Sequence, residues 1–204
     1  MEREVVRIIQ ELETLDLLRD APKYWWPQSG TFEVVVGAIL TQNTTWSNVE
    51  KSLDNLRGYL TLEQFVTLKE DELKEKIRSS GFYNQKAPRL LEIAKHMQRD
   101  FGGFETFQQR VSRSWLLEQK GIGKESADAI LCYGCFRECF VVDSYTRRVF
   151  KRYEIMLKEY DEYKELVEES VTKYWELFSQ RYESKHHFYA RLHGMFVEYN
   201  KNFK

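Results

Sequence analysis

Residues 115–152 read WLLEQKGIGKESADAILCYGCFRECFVVDSYTRRVFKR, and this stretch decides how the rest of the chain is read. It opens with the apolar turn Trp115-Leu116-Leu117, breaks at Gly121-Ile122-Gly123 and restarts with Ser126, Ala127 and Ala129. A glycine corner between two helices can turn backbone N–H groups toward a phosphate, and the helix that follows adds the positive end of its dipole. About twenty residues after Gly123 the chain becomes apolar at Phe140-Val141-Val142, presents Asp143 and enters the basic run Arg147, Arg148, Lys151 and Arg152. A phosphate-holding corner followed by a carboxylate and several cations points to nucleic acid with an acid group at hand.

Charge distribution fits this better than net charge does. The 204 residues carry a formal net charge of −1. Residues 110–152, however, hold nine Lys/Arg against five Asp/Glu, while 153–184 hold four against nine. Fields screen within about 8–10 Å at physiological salt, so a basic face can bind phosphate beside an acidic one. The acidic run 154–176 reads as a solvated helix face.

Apolar residues recur at helical spacing, as at Val5, Ile8, Ile9, Leu12 and Leu15, and again at Phe32, Val35, Val36, Ile39 and Leu40. No alternating runs bounded by Asn-Gly or Asp-Gly turns stand out. The spacing predicts an all-α chain with helices over 2–19, 31–41, 45–58, 61–67, 70–78, 84–101, 104–109, 113–119, 124–135, 143–152, 160–182 and 185–200. Both ends are helical, so residues 1–30 with 143–204 are expected to form one lobe around a six-helix lobe of residues 31–142. The charged N-terminal helix does not read as a targeting peptide. The longest apolar run, Val34–Leu40, is far short of the roughly 20 residues of a membrane span. Three cysteines read as reduced thiols, and the expected setting is a cytoplasmic, bacterial-type monomer. His96, His186, His187 and His193 suggest no metal site.

The glycine corner (expected at about 113–135), Val141-Val142-Asp143 and Arg147-Arg148 resemble the helix-hairpin-helix DNA glycosylases, the superfamily of endonuclease III. So do Ile39-Leu40-Thr41-Gln42-Asn43-Thr44 and Gly81-Phe82-Tyr83-Asn84-Gln85-Lys86-Ala87. The resemblance implies two helical lobes flanking a base-binding cleft, and double-stranded DNA carrying a damaged base as partner. It implies Asp143 as the catalytic carboxylate and Gln42 as the side chain filling the gap left by an everted base. Gly121, Gly123, Lys124, Ser126 and Arg147 are then expected on the DNA backbone. The chemistry agrees: N-glycosidic cleavage passes through an oxocarbenium-like sugar, which a carboxylate stabilises, and the base must leave the duplex to be reached.

Two departures from endonuclease III narrow the expectation. Glu125 stands two residues after the second glycine, where that enzyme has its amine nucleophile, and Lys124 lies one register earlier. One residue rotates a helix by about 100°, so Lys124 is expected to face phosphate rather than the sugar, and strand cleavage through a Schiff base is not expected. No cysteine follows Cys139, so no [4Fe–4S] cluster is expected; Cys132, Cys135 and Cys139 share one helix face as thiols.

With Trp25-Trp26-Pro27, Ser80–Ala87 and Ala190-Arg191-Leu192-His193-Gly194, the chain is similar to the type III 3-methyladenine DNA glycosylases. That similarity implies a monofunctional enzyme of base excision repair with an aromatic base pocket at Trp25, Trp26, Pro27 and Trp46. A 3-methylated adenine is cationic and already a good leaving group, so stacking on tryptophan, worth roughly 0.5–2 kcal/mol, matters more than protonation. Lys201 occupies a position that approaches the pocket in this group. Because an ammonium would repel the cationic base, Lys201 is expected to be distant or converted to a neutral or anionic form such as a carbamate. The competing readings are a bifunctional enzyme for oxidised pyrimidines and a non-catalytic helix-hairpin-helix DNA-binding module.

Overall fold

Val5, Ile8, Ile9 and Leu12 fall on one stripe of the first helix and are buried to 1% exposure or less, so the sequence period directly sets which face packs. The computed structural model describes residues 1–203. Among these, the α-helices are α1 (Glu2–Thr14), α2 (Phe32–Leu40), α3 (Trp46–Asn55), α4 (Leu62–Phe65), α5 (Glu70–Lys76) and α6 (Tyr83–Phe101). They continue as α7 (Phe104–Arg110), α8 (Arg113–Leu117), α9 (Lys124–Ala129), α10 (Ser144–Arg152), α11 (Tyr160–Lys173) and α12 (Lys185–Asn202). No strand occurs among the described residues. Among the described residues no helix is long and apolar enough to cross a membrane.

The chain forms two units, one of residues 1–27 with 136–204 and one of 28–135. The return to the first unit falls at 135/136, seven residues before the expected 142/143, because Phe140 and Val142 belong to the terminal-helix core. In that unit α12 is the central element. It is buried at Phe188, Tyr189, Leu192, Phe196 and Val197, with α1 and α10 packed on it and α11 on α1. Each fully buried aliphatic or phenyl side chain contributes about 1.5–3 kcal/mol.

In the other unit α2 plays the same part. Every residue from Phe32 to Leu40 except Glu33 is buried, which is why its sequence reads as an almost continuous apolar run. Helices α3, α6 and α9 pack against it.

Three helices differ from expectation. Helix α1 ends at Thr14 rather than 19, because Asp16 adopts φ 48°, which a right-handed helix cannot continue through. Helix α11 stops at Lys173, and a short 3₁₀ turn at Trp175–Leu177 replaces the rest of the expected 160–182 helix. Helix α9 passes at Ile130 into a π-helical turn, Ile130–Gly134.

Candidate active site

Asp143 is placed by the segment before it. Phe140 and Val142 are buried, and their backbone N–H groups donate to Glu168 Oε1 (2.8 Å) and to the Tyr160 hydroxyl (3.2 Å) of α11. Asp143 then caps α10. Its Oδ1 accepts from the Thr146 N–H (2.7 Å) and from Thr146 Oγ1 (3.0 Å), while the Asp143 N–H faces Thr146 Oγ1 at 3.4 Å, completing a capping box. The second oxygen, Oδ2, lies 3.4 Å from His193 Nε2 of α12. The Asp143 side chain is 12% exposed and that of His193 6%. Burial pushes the Asp143 carboxyl up, but the nearby His193 imidazole and the Thr146 N–H and hydroxyl outweigh it, so the group is held below the usual carboxylate range. An Asp that caps a helix and is still anionic in a nearly dry setting is suited to stabilising a developing cation.

The Ala190–Gly194 segment organises the aromatic side of the same unit. Arg191 donates from Nη1 to Pro22 O (3.3 Å) and from Nη2 to Leu18 O (3.1 Å), pinning the loop that carries Trp25. His193 meets the Trp25 ring edge-on, with centroids 5.3 Å apart. Gly194 leaves room for the indole: a Cβ there would lie 2.4 Å from Trp25 Cγ. The Trp25 Nε1–H donates to Glu198 Oε1 at 3.4 Å, and the same oxygen accepts from Lys201 Nζ at 2.8 Å. Trp26, 8% exposed, packs perpendicular to Trp25, and Pro27 is exposed. Trp25, Trp26, Pro27, Asp143 and Lys201 thus belong to one unit, and Lys201 is half-exposed and ion-paired with Glu198.

Gln42, Trp46 and the hairpin belong to the other unit. Helices α8 and α9 flank the corner and are clamped by Arg113, whose Nε and Nη2 reach Asp128 Oδ1 (2.8 Å) and Oδ2 (3.0 Å). Gly121 has φ +84°, which favours glycine, and a Cβ on it would meet the Arg89 side chain at 2.5 Å and displace its flexible end. A Cβ on Gly123 would meet nothing within 4 Å, so its open face is available to an outside ligand. Lys124 and Glu125 are exposed at the start of α9. Ser126, expected on the DNA backbone, is instead buried at 8% exposure, where it accepts from Gln42 Nε2 (3.0 Å). Gln42 Nε2 also donates to Gly121 O (2.9 Å), so this side chain braces the hairpin in the protein without DNA. Trp46 is half-buried at the first position of α3.

Arg147 is half-buried and lies along its own unit: its guanidinium is 5.1 Å from the Tyr163 ring centroid, with Nη1 3.5 Å from Lys158 O. The ring and the carbonyl hold it within its own unit, and Arg148, Lys151 and Arg152 are the exposed cations of α10. No group of His, Cys, Asp and Glu able to hold a metal ion occurs among the described residues.

Two residues escape the sequence reading as site elements. Lys86 is 2% exposed and donates to both Leu40 O and Ser80 O at 2.8 Å, tying the end of α2 to the 3₁₀ turn Arg78–Ser80 before Phe82. Its signal is its position: Leu90, Ile93 and Met97 follow at i+4, i+7 and i+11, so Lys86 lies on the buried face of α6. Phe82 stands at the start of α6 with φ 49° and 59% exposure, a large apolar side chain held out in solvent.

Residues 36–177 match the HhH-GPD superfamily of base excision DNA repair proteins. A protein named as a DNA repair glycosylase, MJ1434 of Methanocaldococcus jannaschii, is 42% identical over 88% of this chain and 80% of its own length. Endonuclease III of Thermotoga maritima is 30% identical over 61% of this chain and 57% of its own. Among solved structures, the H. pylori 3-methyladenine DNA glycosylase MagIII, bound to 1,N6-ethenoadenine, superposes with a TM-score of 0.93 at 43% identity, covering 97% of each chain.

Proposed function

Because the chain belongs to the HhH-GPD superfamily and is a DNA glycosylase of base excision repair, we propose that it excises alkylated bases, chiefly 3-methyladenine, by hydrolysis without cutting the strand. The observation that carries this reading is the indole of Trp25, locked by Gly194 and Glu198 and touching His193, which in turn faces Asp143. A flat π surface fixed one side chain away from a buried carboxylate fits a cationic purine that leaves readily once its sugar is stabilised. The similarity to the H. pylori 3-methyladenine DNA glycosylase supports the same substrate class.

In this reading Asp143 Oδ2 faces the sugar, and Trp25, Trp26 and Pro27 accommodate the base. Lys124 and the open side of Gly123 meet the phosphate backbone, and Gln42 leaves its brace to fill the emptied stack. Glu125 offers no amine where a Schiff base would form, so product strands stay intact until alkali is added. Incubating methylated duplex DNA with the enzyme, identifying the released bases and running the strands before and after alkali tests this. Free 3-methyladenine with breaks only after alkali is expected. Breaks without alkali, together with a borohydride-trapped adduct at Lys124, would favour the bifunctional reading.

The charge of Lys201 is part of the same proposal. An ammonium next to a cationic base costs affinity unless it is offset, either by conversion to a carbamate or by the Glu198 carboxylate on which its Nζ rests at 2.8 Å. Intact mass in bicarbonate buffer distinguishes the two. A protein with no added carbon dioxide whose Glu198→Gln variant loses preference for cationic bases assigns the role to Glu198.

A further inference from the structure

We propose that His193 is a positioning residue for the glycosylase reaction, holding Asp143 Oδ2 in place and coupling it to the base-stacking Trp25. This rests on Asp143 being the catalytic carboxylate.

The two oxygens of Asp143 are not equivalent. Oδ1 is occupied by two donors of Thr146, at 2.7 and 3.0 Å, as the cap of α10. That leaves Oδ2 to face a substrate, and the side chain in contact with Oδ2 is His193, at 3.4 Å from Nε2. The imidazole is itself 6% exposed and held by its helix, since Asn200, two turns on along α12, donates to Tyr145 O of α10 at 3.1 Å and fixes the register of the two helices. On its other side the ring touches Trp25 edge-on. A movement of the indole when a base stacks on it is therefore passed through His193 to the carboxylate. Hydrogen bonds of catalytic groups are commonly long without substrate and tighten in the complex, and 3.4 Å leaves room for that.

The groups facing His193 come from each neighbouring element. Helix α10 supplies Asp143, and the loop before α2 supplies the uncharged Trp25. On α1, which packs on α12, the acids Glu11 and Glu13 are engaged by Tyr153 and by Arg181 with Tyr182. On α12 itself, Glu198 is taken by Trp25 and Lys201, and Arg191 by two backbone carbonyls. His193 beside Asp143 Oδ2 acts in the direction that keeps the carboxylate ionised.

The test is single-turnover base release from methylated duplex DNA across pH for the wild type, Asp143→Asn, His193→Ala and His193→Gln, with melts and binding to an abasic-analogue duplex as controls. His193→Ala is expected to slow release by about tenfold to a hundredfold, as displaced catalytic groups do, and to move the acid limb of the profile to higher pH. His193→Gln, which keeps a donor but gains no charge, is expected to recover much of the rate and still show the raised limb. If Asp143→Asn abolishes release while both His193 variants keep the wild-type rate and limb, His193 is only a core residue and the proposal fails, leaving the role of Asp143 intact. If Asp143→Asn still releases base, the catalytic reading falls and the proposal with it. Should His193→Ala melt out, the limb of His193→Gln decides.

Discussion

Gly194 carries no side chain at the point where Trp25 lies against α12, and a Cβ there would come within 2.4 Å of Trp25 Cγ and 2.7 Å of Cδ1. Trp25 cannot retreat freely, because its own backbone sits at φ 65° and Arg191 grips the loop at Leu18 O and Pro22 O. Gly194→Ala is therefore expected to expel the indole. It should lose most release of alkylated bases and about 1–3 kcal/mol of stability through overpacking. Release assays alongside a urea melt check this, and wild-type release from a folded Gly194→Ala protein would detach Trp25 from substrate selection.

In the proposed function Gln42 enters DNA from the other unit, and Phe82, exposed in that same unit, is available to join it. Gln42 leaves two hydrogen bonds, to Gly121 O and Ser126 Oγ, when it enters DNA, while Phe82 is already exposed at 59%. Gln42→Ala and Phe82→Ala should each weaken binding to an abasic-analogue duplex more than to undamaged duplex. Stacking losses are about 1–3 kcal/mol per aromatic. Phe82→Ala should leave the melt unchanged. Equal losses on both duplexes would show that these side chains contribute general affinity only.

Lys86 makes a pH prediction of definite sign. Burial pushes its amine down from 10.5 to about 8. Between those values the unfolded chain holds more protons than the folded one, so this group makes stability rise as pH climbs through that window. A neutral amine still has two N–H donors for its two carbonyls, Leu40 O and Ser80 O. Lys86→Met should cost about 2–3 kcal/mol by orphaning both carbonyls and should remove that pH dependence. Denaturant melts at pH 8 and 10 measure both effects, and identical slopes for the two proteins would contradict the assignment.

Features that depend on local period are legible in the sequence. Val5, Ile8, Ile9 and Leu12 announce their buried face, and the glycine corner, with Gly121 at φ +84°, announces the hairpin. The direction in which polar side chains turn is not legible. Ser126 and Arg147 are expected outward, but a buried hydroxyl seeks the Gln42 amide and a guanidinium seeks the Tyr163 ring, and both partners are separated from them along the chain. Ala190-Arg191-Leu192-His193-Gly194 stands out in the sequence as a motif without a job. Only the fold shows Arg191 holding the Trp25 loop, His193 facing Asp143 and Gly194 making room for the indole.

The most direct test of the account is Asp143→Asn in single-turnover base release from methylated duplex DNA, beside its affinity for an abasic-analogue duplex. The substitution keeps a side-chain oxygen to cap α10, so the fold is expected to survive within about 1 kcal/mol. The account predicts that 3-methyladenine release vanishes while the duplex is still bound. Release at the wild-type rate from the folded variant would contradict it.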